Sequence, residues 1–352
     1  MKNSIELIEF LKQSELINPL HLNDSEELIS PWYIKVLMGF CGWLAAIFTL
    51  GFLGMGIASL FDSPIGLSVL GVLMIGGSFF ILSSAKSEFI EHIGLAVSFA
   101  GQALIVFAIF IHSESMELFS WAVLTLMCCF LSSLMPSYIH RVMSAYFATL
   151  CFSFFMFEAQ LSSIFSSIVL FVVALMWLYE FTFSQQIRKL QSIAYGAVFG
   201  LLQFKTSILF AQHGQTWALE SLPSVNQWVD EGLNVLVLLF ILNLLIKHKK
   251  ILLDDSQKWL GLGIVLLLCV GTFFANGIVS GILIIVIGFA IQNKILWGLG
   301  IISAIINLSS YYYFLDISLL NKSFILGGLG GASLILAFLS KRISEQGTHH
   351  EN

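Results

Sequence analysis

Lys205 raises the first chemical question, because it stands inside the apolar run 190–210, two residues after Gln203. An ionisable side chain within hydrocarbon costs a few kcal/mol unless it is paired or hydrated, so such a residue is by default a functional candidate. Lys205 lies about five residues from the outer end of its run, roughly 7–8 Å at 1.5 Å per residue. A lysine stem covers most of that depth, and the favoured reading is an ammonium that snorkels to the headgroups. The alternative is a buried ion pair or a pathway residue. Gln203, Gln102, Asn243 and Asn307 complete a candidate intramembrane polar set with Lys205. Their first reading is helix-to-helix hydrogen bonding; a pathway would require several of them to converge.

A second candidate site is the string from Tyr311 to Ser323 (YYYFLDISLLNKS). Tyr311, Tyr312 and Tyr313 fit an aromatic belt at headgroup depth. Asp316 and Lys322 stand at a spacing that allows pairing across a turn, and the string offers an outer-face contact for a partner protein or a lipid phosphate. No catalytic residue is assigned. There is no His-Glu-x-x-His, no Ser-x-x-Lys dyad on a helix, and no glycine-rich phosphate loop followed by lysine. Cys41, Cys128, Cys129, Cys151 and Cys269 all lie in apolar runs without metal spacing and read as small hydrophobes. His349-His350 reads as incidental. No cofactor and no metal is expected, and an enzyme is disfavoured.

The elements that must carry these residues follow from composition. Hydrophobic residues make up 58% of the 352, charged residues 11%, and mean hydropathy is +0.92. Soluble domains carry about 25% charged residues, so this chain reads as an all-α, polytopic transmembrane bundle. Measured against the roughly 20 residues that cross a bilayer, its apolar runs fall at 34–60, 65–83, 89–111, 118–135, 140–157, 162–183, 190–210, 231–247, 259–275, 277–292, 295–315 and 323–340. Twelve spans is the favoured count. Ten spans with a re-entrant pair at 259–292 is the rival. The sparse cations exclude a nucleic-acid surface.

Charge supplies an independent test of the count. With a cytoplasmic N-terminus, every Lys and Arg except Lys205 and Lys322 falls in an inside segment. Cations near span ends stay on the cytoplasmic side. Both termini are therefore expected inside, with Glu220, Asp230 and Glu231 among the acids of the outer loops. Three regions result: a cytoplasmic segment 1–32, a transmembrane domain 33–340 and a polar tail 341–352. Within the first, Ser4–Ile17 has the periodicity of a short amphipathic helix, with an acidic polar face suited to packing on the protein's own cytoplasmic side.

Gly196-x-x-x-Gly200, Gly277-x-x-x-Gly281 and Gly327-x-x-x-Gly331 put small residues one turn apart and are expected to seat intramolecular helix contacts. The clustered Gly39, Gly42, Gly51, Gly54 and Gly56 point to a closely surrounded first span. Lys258–Ile264 echoes Lys294–Ile301, a faint sign of a duplicated hairpin.

The tyrosine string, with Leu315, Leu319, Leu320, Lys322 and Ser323, resembles a segment near the C-terminus of the bacterial multi-pass family called domain of unknown function 4401. Pro31-Trp32-Tyr33, Gly39, Gly42–Ala46 and Gly51–Gly54 resemble that family's first span. The resemblance covers roughly residues 30–340. It implies a bacterial inner-membrane protein and a membrane-associated partner with a Gly-Asp-Tyr-type motif. It carries no substrate and no catalytic residue. The expected function is non-enzymatic work with such a partner in the cell envelope, with a secondary transporter or lipid-handling protein as alternative.

Overall fold

The computed structural model describes residues 63–85, 87–112, 117–213, 226–248, 277–314 and 318–324, with isolated positions between 33 and 51 and between 327 and 338. The helix expected at Ser4–Ile17, the run 259–275 with the first copy of the echo, Asp316 and the tail lie outside the described residues. Described residues are helical or turn, with no strand among them. The helices are α1 Pro64–Ser84, α2 Glu88–His112, α3 Leu118–Leu134, α4 Tyr138–Glu158, α5 Ser162–Leu178, a 3₁₀ turn Glu180–Gln186, α6 Ile187–His213, α7 Gln227–His248, α8 Ile278–Ala290 and α9 Lys294–Phe314. The expected run 162–183 ends as an α-helix at Leu178 and tightens into the 3₁₀ turn.

Local chemistry explains the boundaries. Ser63 caps α1 by accepting the Gly66 N–H at 3.2 Å, with Pro64 in the first turn where it sacrifices no helical bond. Ser137 does the same for α4 through the His140 N–H at 3.4 Å. The turns after α4 and α8 share one design. Gln160 (φ 59°) and Gln292 (φ 57°) take the left-handed position just past the helix end. The next residue reaches back to close the turn, Leu161 N–H to Met156 O at 2.8 Å and Asn293 N–H to Gly288 O at 2.8 Å. These are Schellman closures with glutamine where glycine is the usual choice. Asn293 Oδ1 then accepts the N–H groups of Ile295 (3.1 Å) and Leu296 (3.2 Å), so one residue closes α8 and caps α9.

The chain divides into two compact units, 1–105 and 106–352. In the first, α1 and α2 meet at Gly71 and Gly101: a Cβ on Gly71 would come within 2.7 Å of the Gly101 carbonyl, and one on Gly101 would come equally near the Gly71 carbonyl. Gly42 is buried against His92, whereas Tyr33, Leu37, Phe40, Ile47 and Phe48 of the first span are exposed. In the second unit α5 is the central helix, packed on α6, α7 and α8. Phe165, Leu170, Val173 and Trp177 of α5 are buried against Val198 and Leu201 of α6, Leu238 and Ile241 of α7, and Leu283, Ile284 and Ile287 of α8. Gly196 and Gly200 seat α6 against Val142, Ala145, Tyr146 and Thr149 of α4, and Gly281, Gly288 and Gly300 draw α8 and α9 together. Among the described residues, nothing stands within 4 Å of where a Cβ on Gly327 or Gly331 would lie.

Large apolar side chains also line the outside: Phe80, Phe119, Leu126, Phe130, Leu236 and Phe289 are all exposed. An apolar exterior of this kind marks a membrane-facing surface. Among the described residues, α1, α2 through Ile111, α4 and Trp228–Lys247 of α7 are long and apolar enough to cross a membrane; the shorter apolar helices are α3, α5, α8 and Lys294–Ser310 of α9.

Candidate functional site

A buried polar cluster in the second unit lies where the heads of α5, α7 and α8 meet α6. Lys205 is 9% exposed, and its ammonium pairs with Asp230 Oδ2 and, at 3.5 Å, with Glu231 Oε1. Its charge is thus satisfied by acids of the same chain. Asp230 and Glu231 are not loop residues. They occupy the first turns of α7, where carboxylates are favoured by the free N–H groups and the dipole of the helix start. Sequence reasoning missed them because they sit at the hydropathic edge of their span, where acids count as solvated. The available signal was the lone in-span cation, which demands a counter-ion, together with two adjacent acids heading a nearby run.

Neighbouring helices add further polar contacts. Ser166 of α5 lies within hydrogen-bonding distance of Asp230 Oδ1 and, at 3.1 Å, of Asn234 Oδ1. A hydroxyl has one proton to donate. Given to Asp230, it leaves none for Asn234 Oδ1, and Asn234 Nδ2 has no hydrogen-bond partner among the described residues. Ser163 Oγ accepts the Asn226 N–H at 2.9 Å and ties the head of α5 to that of α7. Glu231 Oε1 accepts the Gly277 N–H at 2.6 Å, a charge-assisted bond onto the head of α8. Gly277 has φ 82°, and a Cβ there would collide with the Asn307 amide. Asn307 is held in place on α9 by donating to Ser303 O at 2.8 Å. With Lys205, Asp230 and Glu231 all ionised, this buried cluster carries one excess negative charge. Among the described residues Glu231 Oε2 has no hydrogen-bond partner, and Glu231 is 3% exposed.

Of the sequence candidates, then, Lys205 and Asn307 come together around Glu231 and Gly277. Gln203 is exposed and donates to Ser207 at 3.3 Å. Asn243 is exposed on α7, twelve residues beyond Glu231 and so about 18 Å along the helix. Gln102 is buried in α2 of the first unit. At the second candidate site, Tyr311, Tyr312 and Tyr313 lie in the last turn of α9 and their side chains fall outside the described residues. Lys322 is largely buried, while Leu319, Leu320 and Phe324 beside it are exposed. Glu180 is buried as well, accepting from Gln191 Nε2 at 3.1 Å. No group of three or more His, Cys, Asp or Glu residues that could hold a metal occurs among the described residues.

Apolar helices of this length, an apolar exterior and a charge cluster enclosed by five of the helices define a helical membrane protein. The chain belongs to the family described as a domain of unknown function, DUF4401, whose model matches residues 31–343. No curated protein matches the chain. No solved structure matches it.

Proposed function

We propose that this chain is a twelve-span protein of the bacterial cytoplasmic membrane, with both termini inside, that works as an ion-coupled secondary transporter. One observation carries the proposal: the buried Lys205–Asp230–Glu231 cluster, with two carboxyl groups on one ammonium and a carboxylate oxygen without a partner among the described residues. A purely structural pair gains little from burial, because desolvation offsets the attraction, and an unbalanced third charge worsens the account. A group that takes up and releases an ion needs that imbalance. The orientation rests on the cation distribution. The shared end of α7 and α8 fits it too, since both helices start at the cluster.

The test is ion-jump electrophysiology on the purified full-length protein in supported membranes. Ion-binding currents do not require the transported substrate to be known. Transient currents on a proton, sodium or potassium jump, diminished in Lys205→Met, are expected. Wild-type protein that is folded and silent to all three jumps ends the reading.

A second reading follows from the family resemblance and from Leu319, Leu320 and Phe324, exposed at the outer end beside Lys322. It is non-enzymatic work in the envelope with a membrane-associated partner bearing a Gly-Asp-Tyr-type motif. Co-purification from native membranes, lost on Leu319→Glu, would favour it over transport.

A further inference from the structure

We infer that the ion taken up by this cluster is a proton, carried on Oε2 of Glu231; the inference rests on the transport reading of the same site. The partners of the four carboxylate oxygens decide the position. Asp230 Oδ2 is held by Lys205 and Asp230 Oδ1 by Ser166. Glu231 Oε1 is held by the Gly277 N–H and by Lys205. Oε2 alone of the four has no partner among the described residues while being removed from solvent. Among the described residues, the groups around Glu231 are Lys205 from α6, Asp230 from α7 itself, Ser166 across Asp230 from α5 and the Gly277 N–H from α8, with the Asn307 amide of α9 against Gly277. Lys205 and Asp230 neutralise each other, so the charge free to change is that of Glu231.

A proton suits Oε2 better than a metal cation does. Hard cations draw about six oxygen ligands around themselves, whereas among the described residues Oε2 has no hydrogen-bond partner. The place between the two carboxylates, where a metal ion would gain most, is occupied by the Lys205 ammonium. A proton needs only one lone pair. On uptake an O–H bond of hydronium breaks, the proton bonds to Oε2, and water is left behind; release to water reverses the step. The cluster passes from one excess negative charge to none.

The same step changes the head of α8. The Gly277 N–H bonds to an ionised carboxylate before uptake and to a neutral acid after it, and charge-assisted bonds are roughly twice as strong as neutral ones. Proton occupancy is thereby felt by the α8–α9 hairpin through Gly277 and Asn307.

Infrared difference spectroscopy on the full-length protein in lipid, across a pH step, tests this directly. The wild type should show a protonated-carboxyl C=O band that shifts in D₂O and is unchanged when choline replaces sodium. Glu231→Gln should lose the band, Asp230→Asn should keep it, and Glu231→Asp should move it. No pH-dependent band in the wild type overturns the inference. So does a band that survives Glu231→Gln, is lost in Asp230→Asn, or is displaced by sodium. A band that behaves as expected in a protein silent to every ion jump leaves the proton on Glu231 and removes the transport reading instead.

Discussion

At the scale of single residues the cluster is a problem of unpaired charge. Lys205→Met removes the one cation and strands two carboxylates, and loss of one partner of a buried pair costs about 3–5 kcal/mol. A marked fall in thermal stability in detergent is therefore expected. Lys205→Met combined with Asp230→Asn should recover most of the loss, because the remaining Glu231 keeps its Gly277 bond. If the double variant is no more stable than the single, the ion pair is not what holds these helix heads. Ser166→Ala is milder: it leaves Asp230 Oδ1 without its donor, a penalty of about 1–3 kcal/mol for a buried acceptor. Gly277→Ala combines a left-handed backbone with a collision against Asn307. A loss of about 1–3 kcal/mol is expected, with part restored by Asn307→Ala, which removes the obstacle but not the strain.

At the scale of elements, hydropathy located the helices well. Runs such as 118–135, 140–157 and 295–315 correspond to α3, α4 and α9 within a few residues, because hydrocarbon demands a continuous apolar stretch that sequence displays directly. Small-residue spacing was legible for the same reason, and Gly196 and Gly200 do seat α6 on α4. The two Schellman turns were not legible, since Gln160 and Gln292 occupy a position where glycine or asparagine is the usual signal. The acidic head of α7 was hidden because hydropathy is blind to pairing between runs; only tertiary contact shows that Lys205 and Asp230 share a site. Two measurements belong here. Gly196→Ala places a methyl group against the Val142 carbonyl and the Ala145 side chain, so α4 and α6 must separate; overpacking of this kind costs about 1–3 kcal/mol, read as a lower melting temperature. Gln292→Val puts a β-branched residue in the left-handed region, where L residues are disfavoured by about 1–2 kcal/mol, and it should destabilise more than Gln292→Asn.

At the scale of the whole molecule, the location of the cluster matters as much as its chemistry. Asp230 is the fourth residue of α7, about 4.5 Å below the helix start, and Ser166 is the fifth of α5, about 6 Å below its start. A charge centre one turn below a helix end exchanges protons with only the aqueous side it faces. The proposed orientation makes that side the exterior, so an outward-facing state is the one that loads Glu231. Single cysteines in a variant lacking Cys41, Cys128, Cys129, Cys151 and Cys269 test the orientation. Gln160→Cys, in the turn between α4 and α5, should react in intact cells with a maleimide that cannot cross membranes. Gln292→Cys, in the turn between α8 and α9, should react only after the cells are opened. Asn276→Cys should react from outside if 259–275 crosses fully, and should be protected if 259–292 is a re-entrant pair. Labelling of Gln292→Cys in intact cells, with Gln160→Cys protected, would invert the protein. The cluster would then load from the cytoplasm, and the direction of any proton-coupled cycle would reverse with it.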